Sequence, residues 1–198
     1  MQISKLDGIK LLNKLGLPTV KLLNVSEILS GQTPIDEGIS IRLSPKNKSK
    51  KWNVGLPSIH KRKNIEEIKE FIDENSKENL VFAHKTVNPD IIGSISRLEN
   101  EVVIESYKDY EQRYDEIINN SVTIPVIGER LIVSRLKMLN ENQQDFEEFK
   151  KVIMYLTKIP YNRYDMEYVI ENGNVIFMDF TVADFKECSR YEKLPEER

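Results

Sequence analysis

Residues 165–180 read DMEYVIENGNVIFMDF, and this stretch sets the terms for the rest of the chain. Met166, Tyr168 and Ile170 alternate with other residues, as do Val175 and Phe177. Asn172-Gly173 stands between the two runs, the dipeptide that suits a two-residue hairpin turn. The pattern predicts a β-hairpin. Glu167 falls early in its first strand and Asp179 at the end of its second, so a tight hairpin makes them cross-strand neighbours. Two carboxylates held that close either share a proton or hold a divalent cation.

Working back from the hairpin, residues 143–156 form an amphipathic helix, with Phe146, Phe149, Val152, Ile153 and Leu156 on one face and Pro160 as its stop. Upstream, 80–87, 91–98 and 102–105 read as three consecutive strands separated by Asn88-Pro89-Asp90 and Glu99-Asn100-Glu101. Residues 123–127 and 131–133 read as two more, joined around Gly128. The first part of the chain holds a helix over 4–15 stopped by Gly16, a short strand at 20–23, a helical turn capped by Ser26, and a strand at 38–43. A polar basic loop follows from Ser44 to Trp52. Asn64 then caps a helix over 65–75 with acids in its first turn. The fold class expected is α+β: two lobes with mainly antiparallel sheets and flanking helices. The lobes divide at residue 76, giving 1–76 and 77–185, with a charged tail at 186–198.

With 198 residues the chain is long enough for one domain or two small lobes. Its 39% hydrophobic and 31% charged content is a globular balance. A net charge of -3 gives no global attraction to nucleic acid, which is not expected as a partner. The lysines around Trp52 suit a loop closing over phosphates as well as a nucleic-acid backbone. No apolar run is long enough to span a membrane, and MQISKLDGIK predicts no signal peptide, so a cytoplasmic location is expected. Cys188 is the only cysteine, which excludes an intrachain disulfide and a cysteine zinc site.

Four blocks, in order, resemble the ATP-grasp nucleotide-binding domain, most nearly the N-terminal ATP-binding portion of phosphoenolpyruvate synthase and pyruvate phosphate dikinase. The blocks are KLDGIKLLNKLGLPT from Lys5, ISIRLS from Ile39, VFAHKTVNPDIIGSI from Val81, and the hairpin. The resemblance implies that Lys5 and Arg42 hold ATP phosphates, that Ser44 is a phosphate-binding serine, and that His84 and Lys85 lie on the strand beside the adenine. Gly55 and Ser58 look like a worn phosphate loop. It implies Arg42 as the candidate catalytic residue and Glu167 and Asp179 as Mg²⁺ ligands, so ATP and Mg²⁺ are the expected cofactors. The family pattern departs at Ser4 and Leu6, where glycines are usual, at Lys46–Lys51, where an acidic pair is usual, and at Asp179 and Thr181.

The physical logic is consistent with that resemblance. Arg42 presents a planar fork to phosphate oxygens and Lys5 a point charge. Mg²⁺ takes hard oxygen ligands and lets phosphates complete its octahedron. Phosphoryl transfer needs positioning and charge neutralisation more than an activated nucleophile. The expected activity is ATP-dependent phosphotransfer or ligation to a carboxylate-type acceptor, a small molecule or a protein, with a partner chain able to supply further domains. The alternative is a non-catalytic nucleotide-binding or regulatory module with an eroded site.

Overall fold

The computed structural model describes residues 3–36, 38–46, 58–107, 121–127, 130–135, 137–138 and 143–182. The basic stretch at 47–57, including Trp52 and Gly55, lies outside the described residues, as do Gly128, Cys188 and the tail at 186–198.

The chain opens with helix α1 (Lys5–Lys14). Ser4 caps it, accepting from the Asp7 backbone N–H while donating its hydroxyl to the Asp7 carboxylate. Gly16, at φ 73°, supplies the left-handed turn after the helix end. Strand β1 (Leu22–Leu23) and the short helix α2 (Val25–Leu29) follow. Asn24 caps α2, taking both the backbone N–H and the hydroxyl of Ser26, so the cap lies before the Ser26 that the sequence suggests.

Next come β2 (Ile39–Pro45), β3 (Ile59–Arg62), α3 (Ile65–Asn75) and β4 (Asn79–Lys85). Asn64 caps α3 as expected, accepting from the Glu66 N–H at 2.9 Å. The second half holds β5 (Ile91–Arg97), β6 (Glu101–Tyr107), β7 (Ser121–Ile127), β8 (Arg130–Leu131), β9 (Lys137–Met138), helix α4 (Gln143–Leu156), β10 (Tyr164–Glu171) and β11 (Asn174–Thr181). Val133, expected in a strand, instead begins a 3₁₀ turn over Val133–Arg135.

Two sheets result. The first has strand order β1-β4-β2-β3 and the second β11-β10-β5-β6-β7-β8, with β9 also on β7. All ladders between these strands are antiparallel. The chain leaves the first sheet after Lys85: β4, which a division at residue 76 groups with the later strands, pairs with β1 and β2.

Alternation sorts the side chains. On the first sheet Ile39, Ile41, Val81 and Ala83 face α2 and α3, forming a core with Ile28, Ile68 and Ile72. The larger core lies on one face of the second sheet, where Ile95, Ile104, Met166, Tyr168 and Phe177 meet Phe149, Val152 and Leu156 of α4. A third, smaller cluster joins the two sheets: Ile9, Val20 and Phe82, with Leu6, Leu22, Val87, Ile176 and Met178 around them.

Helix α1 runs beside β11, the edge strand. Leu12 enters the large core and Ile9 the cluster between the sheets. The approach is close enough that only glycine fits at position 8: a Cβ there would lie 2.2 Å from the carbonyl oxygen of Phe180. A covered edge is one that cannot pair with another chain.

Candidate functional site

The hairpin forms as its sequence predicts. Asn172 and Gly173 take positive φ angles of 50° and 75°, the turn that matches strand twist. Glu167 and Asp179 are direct cross-strand partners, flanked by Met166 with Phe180 and Tyr168 with Phe177. The register shifts between Glu167 and Tyr168, so Met178 is an extra residue with no partner opposite it.

This bulge has a sequence cause. Phe177 and Phe180 are both fully buried in the large core, yet three residues apart in a strand they belong on opposite faces. One inserted residue lets both point into the core. The insertion also returns Asp179 to the opposite face, beside Glu167. The pairing of acids therefore depends on an apolar spacing as well as on the turn.

Two cations meet these acids. Lys5 Nζ, at the start of α1, lies 2.9 Å from Asp179 Oδ2. Arg42, on β2 of the other sheet, donates from Nη1 to the carbonyl oxygen of Met178 at 3.0 Å. Its Nη2 lies 3.7 Å from Asp179 Oδ2 and 4.0 Å from Glu167 Oε2. Asp179 is 7% exposed, and its Oδ1 also accepts from the Phe180 N–H. Four charges from α1, β2, β10 and β11 thus converge where the sheets face each other, two positive and two negative.

The other residues singled out from the sequence fall around this centre. Ser44 lies two residues beyond Arg42 on β2, hence on the same face, fully buried with no hydrogen-bond partner for its hydroxyl among the described residues. His84 is paired with Ser40 and Leu22 on that same face and is buried. Lys85 pairs with Ile39, which faces the helices, so alternation carries Lys85 away from Arg42 and His84 and leaves it exposed.

His84 Nδ1 donates to the Lys85 carbonyl at 2.7 Å, while Nε2 has no partner among the described residues. Burial pulls its pKa down to about 4; the bond to Lys85 opposes this, and Arg42 and His60 add to it. His60, on β3, is likewise lowered, by the surrounding protein and then by Arg42. Its ring contacts Ser58 Oγ at 3.0 Å and Ser40 Oγ at 3.2 Å, and Ser40 reaches Thr86 Oγ1 at 3.3 Å.

Reasoning from sequence missed this polar chain because β3, IHKR, carries little apolar alternation. It also missed the serines on the hairpin's neighbour β5: Ser94 donates to Glu105 at 2.8 Å and Ser96 to Asp165 at 2.6 Å. Strict alternation in 91–97 was the available signal.

Among the described residues no group of three or more histidine, cysteine or acidic side chains is placed to hold a metal ion. Glu167 and Asp179 are two carboxylates on one face. That set suits Mg²⁺, which binds through one or two carboxylates and draws its other ligands from substrate phosphates and water.

No protein-family model matches the chain, and no curated protein matches it. Solved structures do. The chain is similar to the dinucleotide-forming acetyl-coenzyme A synthetase 1 of Ca. Korarchaeum cryptofilum, solved with coenzyme A, Ca-AMPCP and HgCl+, at 10% identity and a TM-score of 0.59, covering 91% of this chain and 92% of that one. ATP citrate lyase from Methanothrix soehngenii, solved with citrate and coenzyme A, matches at 12% identity and a TM-score of 0.58 over the whole of this chain and 55% of its own. D-Alanine-D-alanine ligase from Helicobacter pylori matches at 10% identity and a TM-score of 0.57 over 90% of this chain and 53% of its own. The chain therefore spans nearly all of the first matched chain but about half of the other two. At such identities the likeness shows the fold, which is ATP-grasp-like: an α+β arrangement of two antiparallel sheets with flanking helices.

Proposed function

We propose that the chain binds Mg-ATP between its two sheets, with Lys5, Arg42 and Ser44 on the phosphates and Glu167 and Asp179 on the metal. The observation that carries this is the convergence of Lys5 and Arg42 on the Glu167–Asp179 pair, from a helix and two different sheets.

Each group then has a physical task. Arg42 and Lys5 balance phosphate charge, and in a partly buried site such contacts are stronger than in water. Bound Mg²⁺ would supply charge neutralisation at the phosphate oxygens. Glu167 and Asp179 are the hard oxygen ligands on offer. Asp179 faces both cations, so nucleotide binding exchanges carboxylate for phosphate around Lys5 and Arg42. Arg42, with its planar fork, stabilises charge on a transferred phosphoryl group in this reading. The reaction class, phosphotransfer or ligation to a carboxylate-type acceptor, rests on the resemblance to phosphoenolpyruvate synthase and pyruvate phosphate dikinase and on the fold.

One observation favours a second reading. Lys5 and Asp179 already form a 2.9 Å pair, as in a module that keeps the fold and has given up its metal. Calorimetric titration with ATP, with and without Mg²⁺, separates the two. Magnesium-dependent binding supports the first; no binding at millimolar ATP supports a regulatory or interaction module.

A further inference from the structure

The hydrogen bonding of His84 carries a more specific conclusion, which rests on nucleotide binding between the sheets as proposed above. A backbone carbonyl only accepts, so the 2.7 Å contact with Lys85 fixes the His84 proton on Nδ1. In the neutral ring Nε2 is then a bare acceptor. It is buried and has no donor among the described residues. Buried acceptors without donors are rare and call for an explanation. The polar neighbours on this face are engaged elsewhere: Ser40 with Thr86 and His60, and Arg42 with Met178 and Asp179.

The position of the ring fits a ligand's far end. Arg42 pairs with Phe82, and His84 lies two residues further along β4, about 7 Å at the usual strand rise. In the other direction lies Ser44, and the ladder ends there at Pro45 and Asn79. A nucleotide with its phosphates at Ser44 and Arg42 therefore extends toward His84. Leu22, Phe82 and Val87 give that end the apolar walls a base needs, and Leu22 and Val87 are only partly buried.

We propose that His84 selects the base: its Nε2 accepts a hydrogen bond from the exocyclic amine of adenine and disfavours purines with a 6-keto group. Inosine and guanine present an acceptor oxygen at that position, so two acceptors would face each other. A site built around a ligand N–H rejects the analogue lacking it more strongly than an apolar pocket does.

The test is competition binding of ATP, ITP and GTP to the full chain with Mg²⁺, for the unaltered protein, His84→Gln and His84→Leu. Circular dichroism checks the fold of each variant. The unaltered chain is expected to prefer ATP over ITP by about tenfold or more. His84→Leu should bring the two within about threefold, chiefly by weakening ATP, and His84→Gln, whose amide presents either an acceptor or a donor, should fall between. A purely structural histidine would lower both affinities together and leave their ratio intact. Equal affinity for ATP and ITP in the unaltered chain overturns the inference without any variant. An unchanged ratio in His84→Leu overturns it too. Absence of all nucleotide binding overturns the proposed function, and the inference with it.

Discussion

Arg42 on the first sheet hydrogen-bonds the carbonyl oxygen of Met178, the residue that the bulge in β11 leaves without a cross-strand partner. One guanidinium thus ties the sheets together at the position where the second sheet departs from regular pairing. Arg42→Lys keeps the charge but replaces a planar fork that reaches the Met178 carbonyl and both acids with a single ammonium. The substitution is expected to cost about 1–2 kcal/mol in urea unfolding, and ATP affinity should fall with it. Unchanged stability would show that the contact between the sheets carries no weight in the fold.

The bulge itself is testable. Deleting Met178 makes Phe177 and Asp179 adjacent, so simple alternation keeps Phe177 and Phe180 in the core and Asp179 on the opposite face beside Glu167. What that deletion removes is the Met178 carbonyl that accepts from Arg42, a loss of about 1–2 kcal/mol; deleting Ile176, which has a cross-strand partner, instead turns Phe177 out of the core at a cost of about 3–5 kcal/mol. Met178→Leu, which keeps the residue count, is expected to stay within about 1.5 kcal/mol of the unaltered chain. Thermal melts of the two deletion variants decide the point. A Met178 deletion that melts as low as the Ile176 deletion would contradict Met178 as the inserted residue.

Gly8→Ala sets two effects against each other. Alanine is worth about 1 kcal/mol over glycine in a helix. Its Cβ would sit 2.2 Å from the Phe180 carbonyl oxygen, a backbone atom that cannot swing aside. Moving α1 away from β11 also draws Lys5 from Asp179. A net loss of about 1–2 kcal/mol is expected in urea unfolding. Gly93→Ala should cost more, about 3 kcal/mol, because its Cβ would meet both the Tyr168 ring at 2.3 Å and the Glu105 carbonyl at 2.4 Å. A stabilised Gly8→Ala chain would place α1 further from β11 than described.

Acid should weaken the fold through His84. Its folded pKa, about 4, lies below the ordinary value of 6.5, so the unfolded chain binds a proton that the folded chain refuses between those values. Stability from the neutral ring is complete above pH 6.5 and is lost as the pH falls toward 4. At about 1.36 kcal/mol per pH unit, the loss by pH 4.5 is roughly 2–3 kcal/mol. His84→Gln removes that component while the carboxylates common to both chains cancel. Urea unfolding at pH 7 and pH 4.5 should show the unaltered chain losing that much more than the variant. Equal losses would mean that the ring is not buried neutral.

Much of this was legible in the chain and some was not, for identifiable reasons. The hairpin and its turn follow from Asn172-Gly173, and simple counting from that turn sets Glu167 opposite Met178, one residue short of the Asp179 it meets. That counting passes over the bulge, which makes the pairing compatible with the core; the spacing of Phe177 and Phe180 was its signal. Strand β3 was hidden because IHKR has little apolar alternation and sits among lysines. Its pairing with β2, rather than its own propensity, makes it a strand. The resemblance puts His84 and Lys85 at one site, although neighbours in a strand point to opposite faces. Arg42 meeting Met178 was beyond reach, since it depends on how two sheets pack and not on any local pattern.

The central claim is that Lys5, Arg42, Glu167 and Asp179 form one Mg-ATP site, and the dependence of ATP affinity on Mg²⁺ tests it most directly. The measurement is the ratio of ATP affinities with and without Mg²⁺ in the unaltered chain, Glu167→Gln and Asp179→Asn. The account predicts that Mg²⁺ strengthens binding to the unaltered chain and that either substitution abolishes the gain. ATP affinity that is the same in all three proteins, with and without Mg²⁺, would contradict it.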